Sequence, residues 1–214
     1  MREKNVRFAS GKLSLEGVLY LPEGGNKIPL VIVCHPHPLY GGSMENNVVD
    51  SLCLALVQAS CGAFKFNFRG VGGSEGEYGE GIGEQEDVRA SLDFVTGQDE
   101  VDSSCLGVAG YSAGAGFSIP VGIGDERVKA LAAVSPPLGM YDFSSLKDCL
   151  KPKMLIAGER DNLIPQEQFH QFCEEVTEPK ECINVADADH FWWGYEGFMA
   201  QKVAEFFTVH LRVS

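Results

Sequence analysis

Four short, nearly continuous apolar runs constrain the fold of this chain more than any other feature. They are Leu30-Val31-Ile32-Val33-Cys34, Cys105-Leu106-Gly107-Val108-Ala109, Val128 to Val134 and Met154-Leu155-Ile156-Ala157. Each has the length of a strand, and a strand without polar alternation is buried on both faces. Helical spacing separates them. Val48, Val49, Leu52, Leu56 and Ala59 follow a cap expected at Ser43 and stop at Gly62; Val88, Leu92 and Val95 follow an acidic first turn of Glu84, Glu86 and Asp87. Phe169, Phe172, Cys173 and Val176 share a face after Pro165, and Met199, Val203 and Phe206 share one near the end. Ala63 to Phe68 reads as a further strand, and Cys182 to Val185 as the last. Leu13 to Leu21 alternates loosely and belongs to an antiparallel pair expected to open the sheet. Strand–helix units of this kind predict an α/β fold: a mostly parallel, twisted sheet of about eight strands with helices on both faces. The reading is one domain over residues 1–214, with no internal repeat.

Ligands of such sheets bind beyond the C-terminal ends of the strands, so chemistry is sought there. Gly110-Tyr111-Ser112-Ala113-Gly114 follows the run ending at Ala109 and precedes small residues able to open a helix. A G-x-S-x-G between strand and helix is a nucleophile elbow: the serine occupies a strained turn, and the flanking glycines remove side chains that would clash. A serine hydroxyl needs a base to take its proton, and the base needs an acid to hold one tautomer. Asp161 lies in Gly158-Glu159-Arg160-Asp161-Asn162-Leu163-Ile164-Pro165, directly after a buried strand; Asp187 and Asp189 are alternative acids. Of the five histidines, His170 and His210 fall inside helical patterns, and His35 and His37 lie upstream. His190 alone follows the acid on a loop. The order Ser112, Asp161, His190 suits this arrangement on a parallel sheet.

An oxyanion needs two donors. The backbone N–H of Ala113 supplies one at the helix mouth. In His35-Pro36-His37-Pro38 the prolines have no N–H, which singles out His37 as the second, its imidazole being incidental. His35 and His37 could alternatively pair on a metal, although no matching later set of ligands is evident. Gly70-Val71-Gly72-Gly73-Ser74-Glu75 misses the third glycine of a dinucleotide loop, and Arg69 is expected to tie that loop to the core.

The pentapeptide around Ser112, the Gly158–Pro165 segment, His190 and Asn67-Phe68-Arg69-Gly70 together resemble the α/β-hydrolase superfamily. His35 to Gly42 followed by Ser43-Met44 is similar to small lidless bacterial hydrolases, relatives of dienelactone hydrolases and dipeptidyl peptidases. The likeness runs from about Leu13 to the last helix. It implies a serine hydrolase with the triad Ser112, His190 and Asp161; the oxyanion donors expected at His37 and Ala113 rest on the argument from the prolines and the helix mouth. Two departures stand out: serine where dienelactone hydrolases carry cysteine, and His35-Pro36 where many members carry His-Gly. Only Pro136 to Pro152 stands where larger members insert a lid, room for a short helix near Tyr141 to Lys147, so an open site is expected. Tyr40, Met140, Leu163 and Trp192 are expected to bind substrate, with Phe143 and Trp193 as further wall candidates.

A carboxylesterase acting on small esters or thioesters is the expected activity. A peptidase or amidase on the same triad and a non-catalytic binding protein are the alternatives. No metal or cofactor is required; the expected partners are a small acyl substrate and water, with a homodimer permitted. The formal net charge of −13 argues against nucleic acid and anionic membranes. No run approaches the ~20 apolar residues of a bilayer span, no signal-like apolar segment follows Met1, and seven cysteines without C-x-x-C pairing read as reduced thiols. A cytoplasmic protein is expected.

Overall fold

The computed structural model describes residues 1–24 and 27–211. The chain runs β1 (Arg2–Ser10), β2 (Leu13–Leu21), β3 (Ile28–Cys34), α1 (Asn47–Gln58), β4 (Gly62–Phe66), α2 (Ile82–Thr96) and β5 (Val101–Tyr111). It continues with α3 (Ala113–Gly124), β6 (Val128–Val134), β7 (Lys153–Gly158), α4 (Gln166–Glu175), β8 (Lys180–Val185) and α5 (Glu196–His210). The eight strands form one sheet in the order β1-β2-β4-β3-β5-β6-β7-β8. The β1–β2 and β2–β4 pairs are antiparallel, and every other pair is parallel.

Period-two alternation divides the central strands between two cores. Leu30, Ile32 and Cys34 of β3 face α2 and α3 together with Phe64, Phe66 and Phe117; Val31 and Val33 face α1 and α5 with Leu52, Trp192 and Val203. Both faces are therefore dry, which is why these strands carry no polar alternation. Lys65 is the exception in β4, and its ammonium is neutralised by Asp50 at 2.6 Å.

One expectation about an element is corrected, and two are met. Helix α1 is capped by Asn46 and not by Ser43: Asn46 Oδ1 accepts the Val48 N–H, whereas Ser43 Oγ closes a turn on the Glu45 N–H. The short helix expected near Tyr141 to Lys147 is a 3₁₀ turn at Ser144–Leu146, where Asp142 Oδ1 accepts the Ser144 N–H. The antiparallel pair expected to open the sheet is formed by β1 and β2, with β1 a largely exposed edge strand. No lid domain interrupts the sheet among the described residues.

Candidate active site

Ser112 is the first residue after β5 and the cap of α3, with φ 53° and ψ −125°. That left-handed conformation costs a non-glycine residue energy and is held by bonds on both sides. Its N–H donates to the Val134 carbonyl at 2.8 Å and its carbonyl accepts from Ala115 at 2.9 Å. A Cβ on Gly114 would collide with the Cys34 and His35 carbonyl oxygens, and one on Gly110 with the backbone of Ala115. Glycines at both positions let α3 start flush against the ends of β3 and β5.

The structure brings His190 and Asp161 to this serine. Asp161 Oδ1 accepts the N–H groups of Leu163 (2.9 Å) and Ile164 (3.2 Å), so the carboxylate also builds its own turn. Its second oxygen is left to accept His190 Nδ1–H at 2.7 Å. That bond selects the tautomer whose Nε2 lone pair faces Ser112 Oγ, 3.0 Å away, ready to accept its proton. Asp161 and His190 are buried, at 5% and 6% exposure. The two alternative acids are committed elsewhere: Asp187 pairs with Arg160, and Asp189 accepts the Phe191 N–H within its own loop.

The loop carrying His190 is held at three consecutive residues by partners far away in the sequence. Tyr111 hydroxyl donates to the His190 carbonyl at 2.9 Å, Asn47 Nδ2 donates to the Phe191 carbonyl at 3.1 Å, and Trp192 Nε1 donates to Ser135 Oγ at 3.1 Å. Tyr111 is the variable residue of the G-x-S-x-G pattern. Its hydroxyl is the only signal that could have pointed to this task.

Around Ser112 lies a cleft of about 450 Å³. Tyr40, Met140 and Leu163 line it, as do His37 and Ala113. Trp192 does not. It is fully buried in the core under α1 and α5, because a left-handed backbone (φ 62°) turns its ring inward, and this corrects its assignment to the substrate wall. Phe143 is likewise buried, packed near Phe172, and Trp193 points to solvent outside the cleft.

The two expected oxyanion donors share a property. Among the described residues, neither the His37 nor the Ala113 N–H donates to a protein acceptor. The N–H groups of Tyr40 and Gly42 turn back onto the His37 carbonyl, and that of Leu39 onto His37 Nδ1. The His37 imidazole thus has a structural task and is not incidental. It fixes the 3₁₀ turn at Pro38–Tyr40 and packs at a tilt against Tyr40 and Tyr78, at 4.7 and 4.9 Å between ring centres. Partial burial lowers its pKa, opposed by the Glu84 carboxylate. His35 is buried, with Nδ1–H donating to the Pro36 carbonyl (2.6 Å) and Nε2 accepting the Phe68 N–H (3.0 Å). Neither of its nitrogens has a lone pair free for a metal. Arg69 binds Asp87 and Glu86, tying the glycine-rich loop to α2.

Comparison with known proteins agrees with this architecture. A family model described as PET hydrolase-like matches residues 86–211. An uncharacterized protein of Rickettsia prowazekii (strain Madrid E) is 32% identical over 172 residues, which cover 77% of this chain and 72% of that protein. An alpha-beta serine hydrolase homologue from Coxiella burnetii is similar in structure at TM-score 0.86, with 33% identity and 99% of each chain covered. A serine hydrolase without lid from Xanthomonas campestris superimposes at TM-score 0.87, with 28% identity over 100% of this chain and 97% of that one.

Proposed function

Because the chain belongs to the PET hydrolase-like family of α/β hydrolases, we propose that it is a serine carboxylesterase acting on small neutral esters or thioesters. One observation carries the reading: Ser112 Oγ, His190 and Asp161 form a continuous hydrogen-bonded relay, at 3.0 and 2.7 Å, opening on a cleft with two unengaged N–H groups. Ser112 Oγ attacks the acyl carbon as His190 Nε2 takes its proton. The carbonyl oxygen becomes an oxyanion held by the N–H groups of Ala113 and His37. Asp161 stabilises the imidazolium, which then hands its proton to the departing alcohol or thiol. Water, deprotonated by His190, attacks the acyl-enzyme; collapse releases the acid and restores Ser112.

Ester rather than peptide specificity is supported by the walls of the cleft, which carry no carboxylate to anchor a substrate amine. A cytoplasmic setting is supported by the seven free thiols, five of them buried. No helix among the described residues is long and apolar enough to cross a membrane.

The test is covalent. A fluorophosphonate is expected to label Ser112 and to leave Ser112→Ala unlabelled. Hydrolysis of p-nitrophenyl butyrate should fall by about 10⁴-fold or more in that variant. Aminoacyl anilides should turn over far more slowly than the ester. A folded wild-type protein that neither labels nor hydrolyses the panel would refute the assignment.

A further inference from the structure

We infer that Asn46 is a specificity residue: its side-chain amide nitrogen donates to an oxygen on the alcohol side of the substrate, beyond the scissile ester. The inference rests on the serine hydrolase reading of the same cleft.

Asn46 caps α1 and also lines the cleft that holds Ser112. Its Oδ1 accepts the Val48 N–H at 2.9 Å. An N–H requires an acceptor there, so the amide has one possible orientation. The oxygen is consumed by the helix, and Nδ2 is the end left for the cavity. Among the described residues it donates to nothing. The other polar side chains of the cleft differ. Tyr111 hydroxyl is spent on the His190 carbonyl, and the hydroxyls of Tyr40 and Tyr141 turn about their C–O bonds. Asn46 therefore presents a donor of fixed direction, held by a cap that already stabilises the fold. A fixed, incompletely paired donor beside a substrate discriminates strongly for an acceptor, since an alkyl group in its place leaves the N–H unpaired.

The alcohol side follows from the neighbours of Asn46. The leaving oxygen collects its proton from His190 Nε2, so the alcohol departs along the flank formed by the His190 loop. Asn47, the next residue, donates to the Phe191 carbonyl on that loop and to Glu196 Oε1, both at 3.1 Å. The start of α1 is thus fastened to the leaving-group flank. Pro137, Met140 and Leu163 supply apolar surface elsewhere in the cleft and suit a hydrocarbon acyl chain. The substrate class is an ester of a short alcohol that carries a further ether or hydroxyl oxygen.

The experiment compares 2-methoxyethyl butyrate with n-butyl butyrate, which differ by one oxygen in place of one methylene. The ratio of their kcat/KM values reports acylation alone. Asn46→Ser and Asn46→Asp both retain an oxygen to cap Val48 while removing the amide donor. The wild-type protein is expected to prefer the ether ester by about 10-fold, and both variants to lose most of that preference. A ratio that stays the same in both variants, or an equal loss on both esters, overturns the subsite. A preference that instead depends on Asn46 when the ether oxygen is moved into the acyl chain overturns its placement on the alcohol side. In each of those outcomes fluorophosphonate labelling of Ser112 persists, which separates failure of the subsite from failure of the hydrolase reading.

Discussion

Both ring nitrogens of His35 are occupied by backbone groups, and this makes the residue a source of acid sensitivity. Protonating Nε2 would convert the acceptor of the Phe68 N–H into a second donor, at a side chain buried from solvent. Desolvation pushes its pKa from 6.5 down to about 4, against a smaller upward pull from the Pro36 carbonyl. Between those two values the unfolded chain binds a proton that the folded chain does not. Stability is therefore full above pH 6.5 and declines as pH falls to about 4, by about 3 kcal/mol through this group. Urea midpoints measured from pH 7.5 to 4 should show the decline in the wild-type protein. His35→Gln, less stable at neutral pH, should show a shallower slope; parallel curves would remove His35 as the cause. At this same scale the sequence was an uneven guide. The triad candidates could be picked out because serine, acid and base each follow a strand in a fixed order. Trp192 and Trp193 could not be told apart: neighbouring, chemically identical side chains are sent to core and solvent by one left-handed φ.

At the scale of elements, the elbow depends on how closely α3 abuts the end of β3. An added methyl at Gly114 would approach the Cys34 and His35 carbonyl oxygens to well under the 3.0 Å that real contacts respect. Those atoms are backbone, inside the sheet, and cannot rotate away. Gly114→Ala should therefore tilt α3 and move the Ala113 N–H off the oxyanion position. We expect a loss of about 1–3 kcal/mol in stability and a fall in kcat of about 100-fold, read from urea denaturation and ester hydrolysis on the same preparation. A variant of unchanged stability and activity would mean that α3 has slack here. The central elements were legible for the reason that makes them rigid: burial on two faces leaves β3 without charged or polar side chains and confines those of β6 and β7 to their starts, Lys129 and Lys153. Edges were less so. Strand β1 has five exposed residues among its first six, and nothing in Arg2-Glu3-Lys4-Asn5 announces a partner for β2. The start of α1 was misplaced by three residues because Ser43 and Asn46 are both good caps, and only the path of the chain decides between them.

For the molecule as a whole, charge and cleft composition act together. Thirty acidic residues against 17 basic ones give the surface a negative field, and no lysine or arginine lines the cleft to offset it. A neutral ester approaches without penalty, whereas an ester bearing a carboxylate on its acyl chain is repelled on approach and finds no cation when bound. Three of the cations elsewhere are already neutralised: Arg69 and Arg127 are held by aspartates, and the buried Lys65 is paired with Asp50 on α1. We expect kcat/KM for a hemisuccinate ester to lie about 10-fold or more below that of the neutral pentanoate of the same alcohol. Raising ionic strength from about 0.01 to 0.15 M shortens the screening length from about 30 to 8 Å. It should narrow the gap from the side of the charged ester alone, since only the long-range part of the repulsion is screened. A gap that ignores salt would assign the discrimination to contacts within the cleft. An anionic ester hydrolysed as fast as the neutral one would mean that a cation reaches the bound acyl chain, and Arg160 on the Asp161 loop, now paired with Asp187, would be the first residue to replace.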